Sequence, residues 1–83
     1  MRSRLQRWGC RIVDQELLQN SLAVAERHVA DAEQEVARQQ MIVAGLELSG
    51  RDAGRATQLL RKFEELLARH TAERDCLRRE LGL

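Results

Sequence analysis

The stretch Ser49-Gly50-Arg51-Asp52-Ala53-Gly54 decides the fold, because it separates two long segments of helical periodicity. Glycine readily adopts the left-handed conformation that closes a helix C-terminus, so Ser49 and Gly50 are predicted to end the first helix. The carboxylate of Asp52 can accept hydrogen bonds from the free backbone N–H groups of the second helix, which makes it the predicted cap. We therefore place a turn at residues 49–54.

Apolar residues on both sides of this turn recur at alternating spacings of three and four, the pattern of a coiled-coil seam. A short connection between long helices indicates antiparallel neighbours. The expected fold is all-α: an antiparallel two-helix coiled-coil hairpin over residues 14–83, with helices over about 14–48 and about 53–81. The predicted hairpin seam consists of Leu22, Ala25, Val29, Ala32, Val36, Gln39, Val43, Leu46, Ala56, Leu60, Phe63, Leu67, His70, Leu77 and Leu81.

The two stripes also predict a register, since facing residues in such a hairpin have numbers with a nearly constant sum. In this register Ala32 faces His70, and Gln39 faces Phe63. Opposite charges then flank the seam, in the pairs Arg38 with Glu64 and Glu33 with Arg69. Exposed pairs of this kind help to select a register more than they stabilise it.

Further apolar residues lie outside the seam, and two interpretations stay open. In the first, they form a docking face, most simply for self-association into a four-helix bundle. In the second, the alanines are present only because alanine favours the helical conformation. The candidate docking face consists of Ala23, Ala30, Ala37, Met41, Ala44, Leu48, Leu59 and Leu66.

Composition limits the classes of protein to consider. The chain has 83 residues, of which 33% are charged and 43% hydrophobic, with no proline and a net charge of +1. This is the size of one small domain and the composition of long helices. The balanced charge gives no overall attraction to nucleic acid. No apolar run approaches a membrane span or a signal peptide, so we expect a soluble, cytoplasmic protein.

Residues 1–13 form a basic N-terminal tail, expected to be flexible or a short helical turn. A solvated tail is one interpretation; a contact to phosphates or a membrane surface is another, and an Arg-rich, acid-poor start is also typical of organelle transit peptides. The candidate residues for an anionic contact are Arg2, Arg4, Arg7 and Arg11.

Few residues in the chain are candidates for chemistry. Cys10 and Cys76 lack the neighbouring ligands of a zinc site, and the predicted register does not place them opposite each other. His28 and His70 are the only histidines, and His70 is followed by Thr71 rather than by the glutamate of the familiar kinase motif. No phosphate loop, nucleophile motif or metal pair is present. We expect no enzyme activity, no cofactor, no metal and no small-molecule substrate.

Four segments carry a resemblance to a known group of proteins: Ala25-Glu26-Arg27-His28-Val29-Ala30, Gly50-Arg51-Asp52, Leu59-Leu60-Arg61-Lys62-Phe63-Glu64-Glu65 and His70-Thr71-Ala72-Glu73-Arg74-Asp75-Cys76-Leu77. Together they resemble short two-helix coiled-coil proteins of soil alphaproteobacteria such as the rhizobia. The resemblance covers residues 17–81 and excludes the Arg-rich start. It implies a bacterial, cytoplasmic and non-enzymatic protein, and it implies no particular activity.

Three functional hypotheses follow from the sequence. The first is a non-enzymatic helical interaction or scaffold module that self-associates or docks a partner helix. The second is a nucleic-acid-associated accessory protein that uses the basic tail. The third is a signalling module resembling histidine phosphotransfer domains, with His70 as the phosphate acceptor.

Overall fold

The computed structural model describes residues 15–83, and within that range it has two helices and no strand. Helix α1 spans Gln15–Leu48 and helix α2 spans Gly54–Leu81. The helices pack against each other as an antiparallel hairpin, which confirms the predicted all-α, two-helix packing. Neither helix contains an apolar stretch sufficient to cross a membrane. The predicted basic tail, residues 1–13, lies outside the described residues, as does the candidate anionic contact within it.

The end of α1 is closed by two nested backbone hydrogen bonds. Gly50 has a φ of 74°, and its N–H donates to the carbonyl oxygen of Glu47 at 3.1 Å, while the N–H of Arg51 donates to that of Leu46 at 2.8 Å. This pair of bonds around a left-handed residue is a Schellman motif. The hydroxyl of Ser49 adds a hydrogen bond to the carbonyl oxygen of Gly45 at 3.0 Å. The carbonyls of Gly45, Leu46 and Glu47 therefore have partners, and the chain reverses within five residues.

The start of α2 differs from the sequence prediction by one residue. Ala53, not Asp52, precedes the first helical residue, and its carbonyl oxygen accepts the N–H of Thr57 at 2.8 Å. The Asp52 carboxylate still accepts one free N–H of the helix, that of Gly54, at 2.9 Å. An aspartate commonly bonds the N–H two residues ahead of it and so forms a turn of its own. Asp52 thus stabilises the turn just outside the helix rather than occupying the cap position.

The core of the hairpin is a single seam of side chains. The predicted seam residues that are buried are Leu22, Ala25, Val29, Val36, Gln39 and Leu77, and those that are half-buried are Ala32, Val43, Leu46, Ala56, Leu60, Phe63, Leu67, His70 and Leu81. At the open end, Leu18, Leu22 and Ala25 pack with Leu77, and Leu81 covers them. Among the described residues, no side chain is less than 2% exposed. Two helices can enclose only this one layer, so the seam stays close to solvent on both edges.

Gln39, the buried polar residue of the seam, forms its hydrogen bond at a level other than that of Phe63, which the register predicts to face it. Its side-chain nitrogen Nε2 donates to the carbonyl oxygen of Ala56 at 3.0 Å, two helical turns nearer the hairpin turn than Phe63. A buried amide requires a hydrogen-bond acceptor, and a phenyl ring does not supply a strong one. A carbonyl oxygen has a second lone pair beyond its helical bond, so Ala56 can accept both donors. The need of the amide for an acceptor therefore decides its partner.

The charged flanks follow the predicted register only in part. Arg78 of α2 contacts Glu26 of α1 at 3.3 Å, within one residue of the predicted level. Arg38 instead bonds Glu35 on its own helix at 3.2 Å, where the sequence pairs it with Glu64. Residues three apart on a helix are already neighbours. The local pair therefore costs less conformational entropy to form than a pair across the seam.

Candidate functional site

The two histidines of the chain contact each other across the hairpin. His28 lies on α1 and His70 on α2, and their ring centroids are 4.9 Å apart with an angle of 50° between the planes. The sequence register places His70 opposite Ala32 and gives His28 no position in the seam, so it does not predict this contact. The position of His28 beside Val29, on the flank of the stripe, is the signal that could have indicated it.

These rings form part of a shallow groove along one edge of the hairpin, the histidine groove. Its other walls come from both helices: Asp31, Ala32, Glu35, Phe63 and Leu66. The groove has a volume of about 170 Å³, below the roughly 300–1,000 Å³ of pockets that enclose organic ligands. Its dimensions therefore suit a single ion or a small polar group better than an organic substrate.

The polar groups of the histidine groove are two imidazoles and two carboxylates. The Asp31 side chain is exposed, while Glu35 is half-buried and is already bonded to Arg38. His28 is exposed and His70 is half-buried. Within residues 15–83, neither ring has a hydrogen bond or ion pair with another residue. No described residue therefore competes with a ligand for the ring nitrogens.

A second shallow groove lies on the outer surface of α1, near the hairpin turn. We call it the α1 outer groove; its lining residues are Ala37, Gln40, Met41, Ala44, Gly45 and Leu48. Met41 is 74% exposed and Leu48 is 89% exposed. Apart from its chain neighbours and the backbone of its own helix, no atom lies within 4 Å of the position that a Cβ on Gly45 would occupy, so this glycine leaves open space between the two large side chains.

The candidate docking face predicted from the sequence falls only partly within these two grooves, since Ala23, Ala30 and Leu59 line neither. All of its residues are exposed, but Leu66 lines the histidine groove, and Leu59 lies two turns earlier on the same side of α2. The alanines with Met41 and Leu48 lie on the outer side of α1. Ile42, which the sequence analysis did not include, is 45% exposed and lies on the same side of α1 as His28 and Glu35.

Within residues 15–83, no group of three or more histidine, cysteine, aspartate or glutamate side chains has the geometry to hold a metal ion. Cys76 is half-buried, and its predicted relation to Cys10 falls outside the described range.

The chain matches no protein-family model, no curated protein and no solved structure. The role of the two grooves is therefore inferred from their geometry alone.

Proposed function

We propose that this protein is a non-enzymatic interaction module that self-associates through the α1 outer groove to form a four-helix bundle of two hairpins. The observation that carries the proposal is the exposure of Met41 and Leu48, at 74% and 89%, on either side of Gly45. Large apolar side chains that are grouped and exposed are characteristic of interaction surfaces. Burying each of these two would contribute roughly 1.5–3 kcal/mol before the costs of association.

The thin core supports association as the role of this surface. One seam between two helices leaves every described side chain at least 2% exposed. Chains below roughly 80 residues seldom obtain enough stability from one core alone, and oligomerisation is a common remedy. A second hairpin packed on α1 would give that helix an apolar neighbour on both sides.

The shape of the groove supports a second copy of the chain as the occupant. The small residues Ala44 and Gly45 lie between the larger Met41 and Leu48, and Ala37 lies one helical turn before Met41. If two α1 helices cross about a two-fold axis, the large side chains of one copy can enter the hollow of the other, and the contact is self-complementary. The groove contains no charged residue, so like charges do not oppose each other at its centre.

A pair of matched variants tests the proposal on the 83-residue chain. Ala44→Glu introduces a carboxylate into the α1 outer groove, and Ala72→Glu introduces the same group at an exposed site on α2. Sedimentation equilibrium should give a dimer for the unmodified chain and for Ala72→Glu, and a monomer for Ala44→Glu. Circular dichroism should show that both variants keep their helix content.

Two results would contradict self-association. One is a monomeric unmodified chain across the micromolar to millimolar range. The other is an equal loss of association in both variants, which would locate the interface elsewhere or indicate a general effect of charge.

A further inference from the structure

We propose that His28 and His70 together chelate one divalent transition-metal ion, of the class of Zn²⁺, Ni²⁺ and Cu²⁺, between the two helices. Imidazole nitrogen is a preferred ligand of these ions. The two rings come from different helices and lie at the mouth of an open groove. This site is separate from the α1 outer groove, and the inference does not depend on self-association.

The distance between the ring centroids is compatible with a two-histidine chelate. At a metal–nitrogen distance of about 2.0–2.1 Å, each ring centroid lies roughly 3.2 Å from the ion, and two such rings at an angle of about 100° have centroids about 5 Å apart. The observed separation is 4.9 Å. The 50° angle between the planes is compatible with this arrangement because each ring can rotate about its metal–nitrogen bond.

The rest of the coordination sphere is open. No third protein ligand is in position within residues 15–83, so water would occupy the remaining sites. Asp31 and Glu35 line the same groove and place negative charge beside a bound cation, with Glu35 partly neutralised by Arg38. A closed structural zinc site has four protein ligands. The site proposed here is instead a weaker, exchangeable one with room for a ligand from solvent.

A metal ion at this position would link α1 to α2. Such an ion binds the folded hairpin and not the unfolded chain, because only folding brings the two imidazoles together, 42 residues apart in sequence. Binding to the folded state alone raises the melting temperature as the free ion concentration rises above its Kd. The stability of the hairpin would then report on the supply of the ion.

The test is a thermal melt of the 83-residue chain after removal of metals, with Zn²⁺ or Ni²⁺ added in steps. We expect Tm to rise by about 5 °C or more at saturating ion, and Cu²⁺ bound to the same chain should give an electron paramagnetic resonance spectrum of two nitrogen ligands. His28→Gln and His70→Gln should each remove both effects. Because His28 is exposed, its replacement should leave the fold intact.

Two further variants distinguish this site from other sources of binding. His28→Gln combined with Arg27→His keeps two histidines but moves one to the neighbouring position, about 100° around the helix, and it should not bind. Cys10→Ser combined with Cys76→Ser should bind as the unmodified chain does. Binding retained after the histidine is moved, binding lost with the cysteines, or no rise in Tm at millimolar ion would overturn the proposal.

Discussion

The side-chain amide of Gln39 reaches across the hairpin and donates a hydrogen bond to the backbone carbonyl of Ala56 at 3.0 Å. Gln39 is 7% exposed, so this bond satisfies a polar group inside an otherwise apolar seam. A single buried polar residue in a coiled coil commonly fixes the alignment of the helices at some cost in stability. The bond lies near the turn, where it can fix how α2 begins to pack on α1.

Replacing Gln39 separates the contribution of its hydrogen bond to stability from the contribution of its packing volume. We expect Gln39→Leu to change the free energy of unfolding by less than about 1 kcal/mol, because Ala56 keeps its helical hydrogen bond and the apolar volume is restored. Gln39→Ala should lower it by about 1–3 kcal/mol, through the lost bond and the cavity. Urea denaturation followed by circular dichroism measures both. If the leucine variant is as unstable as the alanine variant, the amide itself is essential.

Two glycines, one inside α1 and one in the turn that follows it, should respond oppositely to replacement by alanine. Gly50 has a φ of 74°, so Gly50→Ala should lower the free energy of unfolding by about 1–2 kcal/mol through backbone strain alone, since no atom obstructs the added methyl. Gly45 lies inside α1 with equal space, and Gly45→Ala should raise the stability by about 0.5–1 kcal/mol. Chemical denaturation of both variants, measured at a concentration where the chain is monomeric, tests the difference. If both variants change the free energy of unfolding in the same direction, the assigned turn is contradicted.

The hydrophobic cluster at the open end should hold the far ends of the helices together. Leu77 is 7% exposed, whereas Leu83 is 78% exposed. We expect Leu77→Ala to lower the free energy of unfolding by about 2–4 kcal/mol, and Leu83→Ala to change it by less than about 0.5 kcal/mol. Thermal melts monitored at 222 nm measure both. A comparable loss in the two variants would indicate that the cluster packs differently.

The ion pair between Glu26 and Arg78 should contribute little, although it crosses the seam. Both side chains are nearly half exposed, so water and salt screen the attraction. A double-mutant cycle with Glu26→Gln and Arg78→Gln should give a coupling energy below about 1 kcal/mol that decreases in high salt. A coupling well above that value, or one insensitive to salt, would show that the pair is less hydrated than its exposure indicates.

The sequence predicts the helices and the turn because local chemistry determines them. Gly50 is the residue that a left-handed helix end requires, and the apolar stripes follow one face of each helix. The side-chain partners across the seam are less predictable, because alignment depends on how individual side chains reach one another. Gln39 selects Ala56 to satisfy its amide, and His28 meets His70 because the flank of one stripe adjoins the seam of the other. The start of α2 is also hard to predict to the residue. Asp52 can either occupy the cap position itself or form a turn just before it, and the structure has the second arrangement, with Ala53 as the cap.

The five-residue connection closed by Gly50 also has a consequence for the order of folding. Once the turn forms, contacts near it join residues close in sequence, and each further turn of helix adds the next pair at a small extra entropic cost. The packing of Leu81 against the cluster that contains Leu18 and Leu77, at the open end of the hairpin, would then form last. Kinetic measurements should find that Gly50→Ala slows folding, whereas Leu77→Ala mainly accelerates unfolding. The reverse pattern would mean that the hairpin closes from its open end.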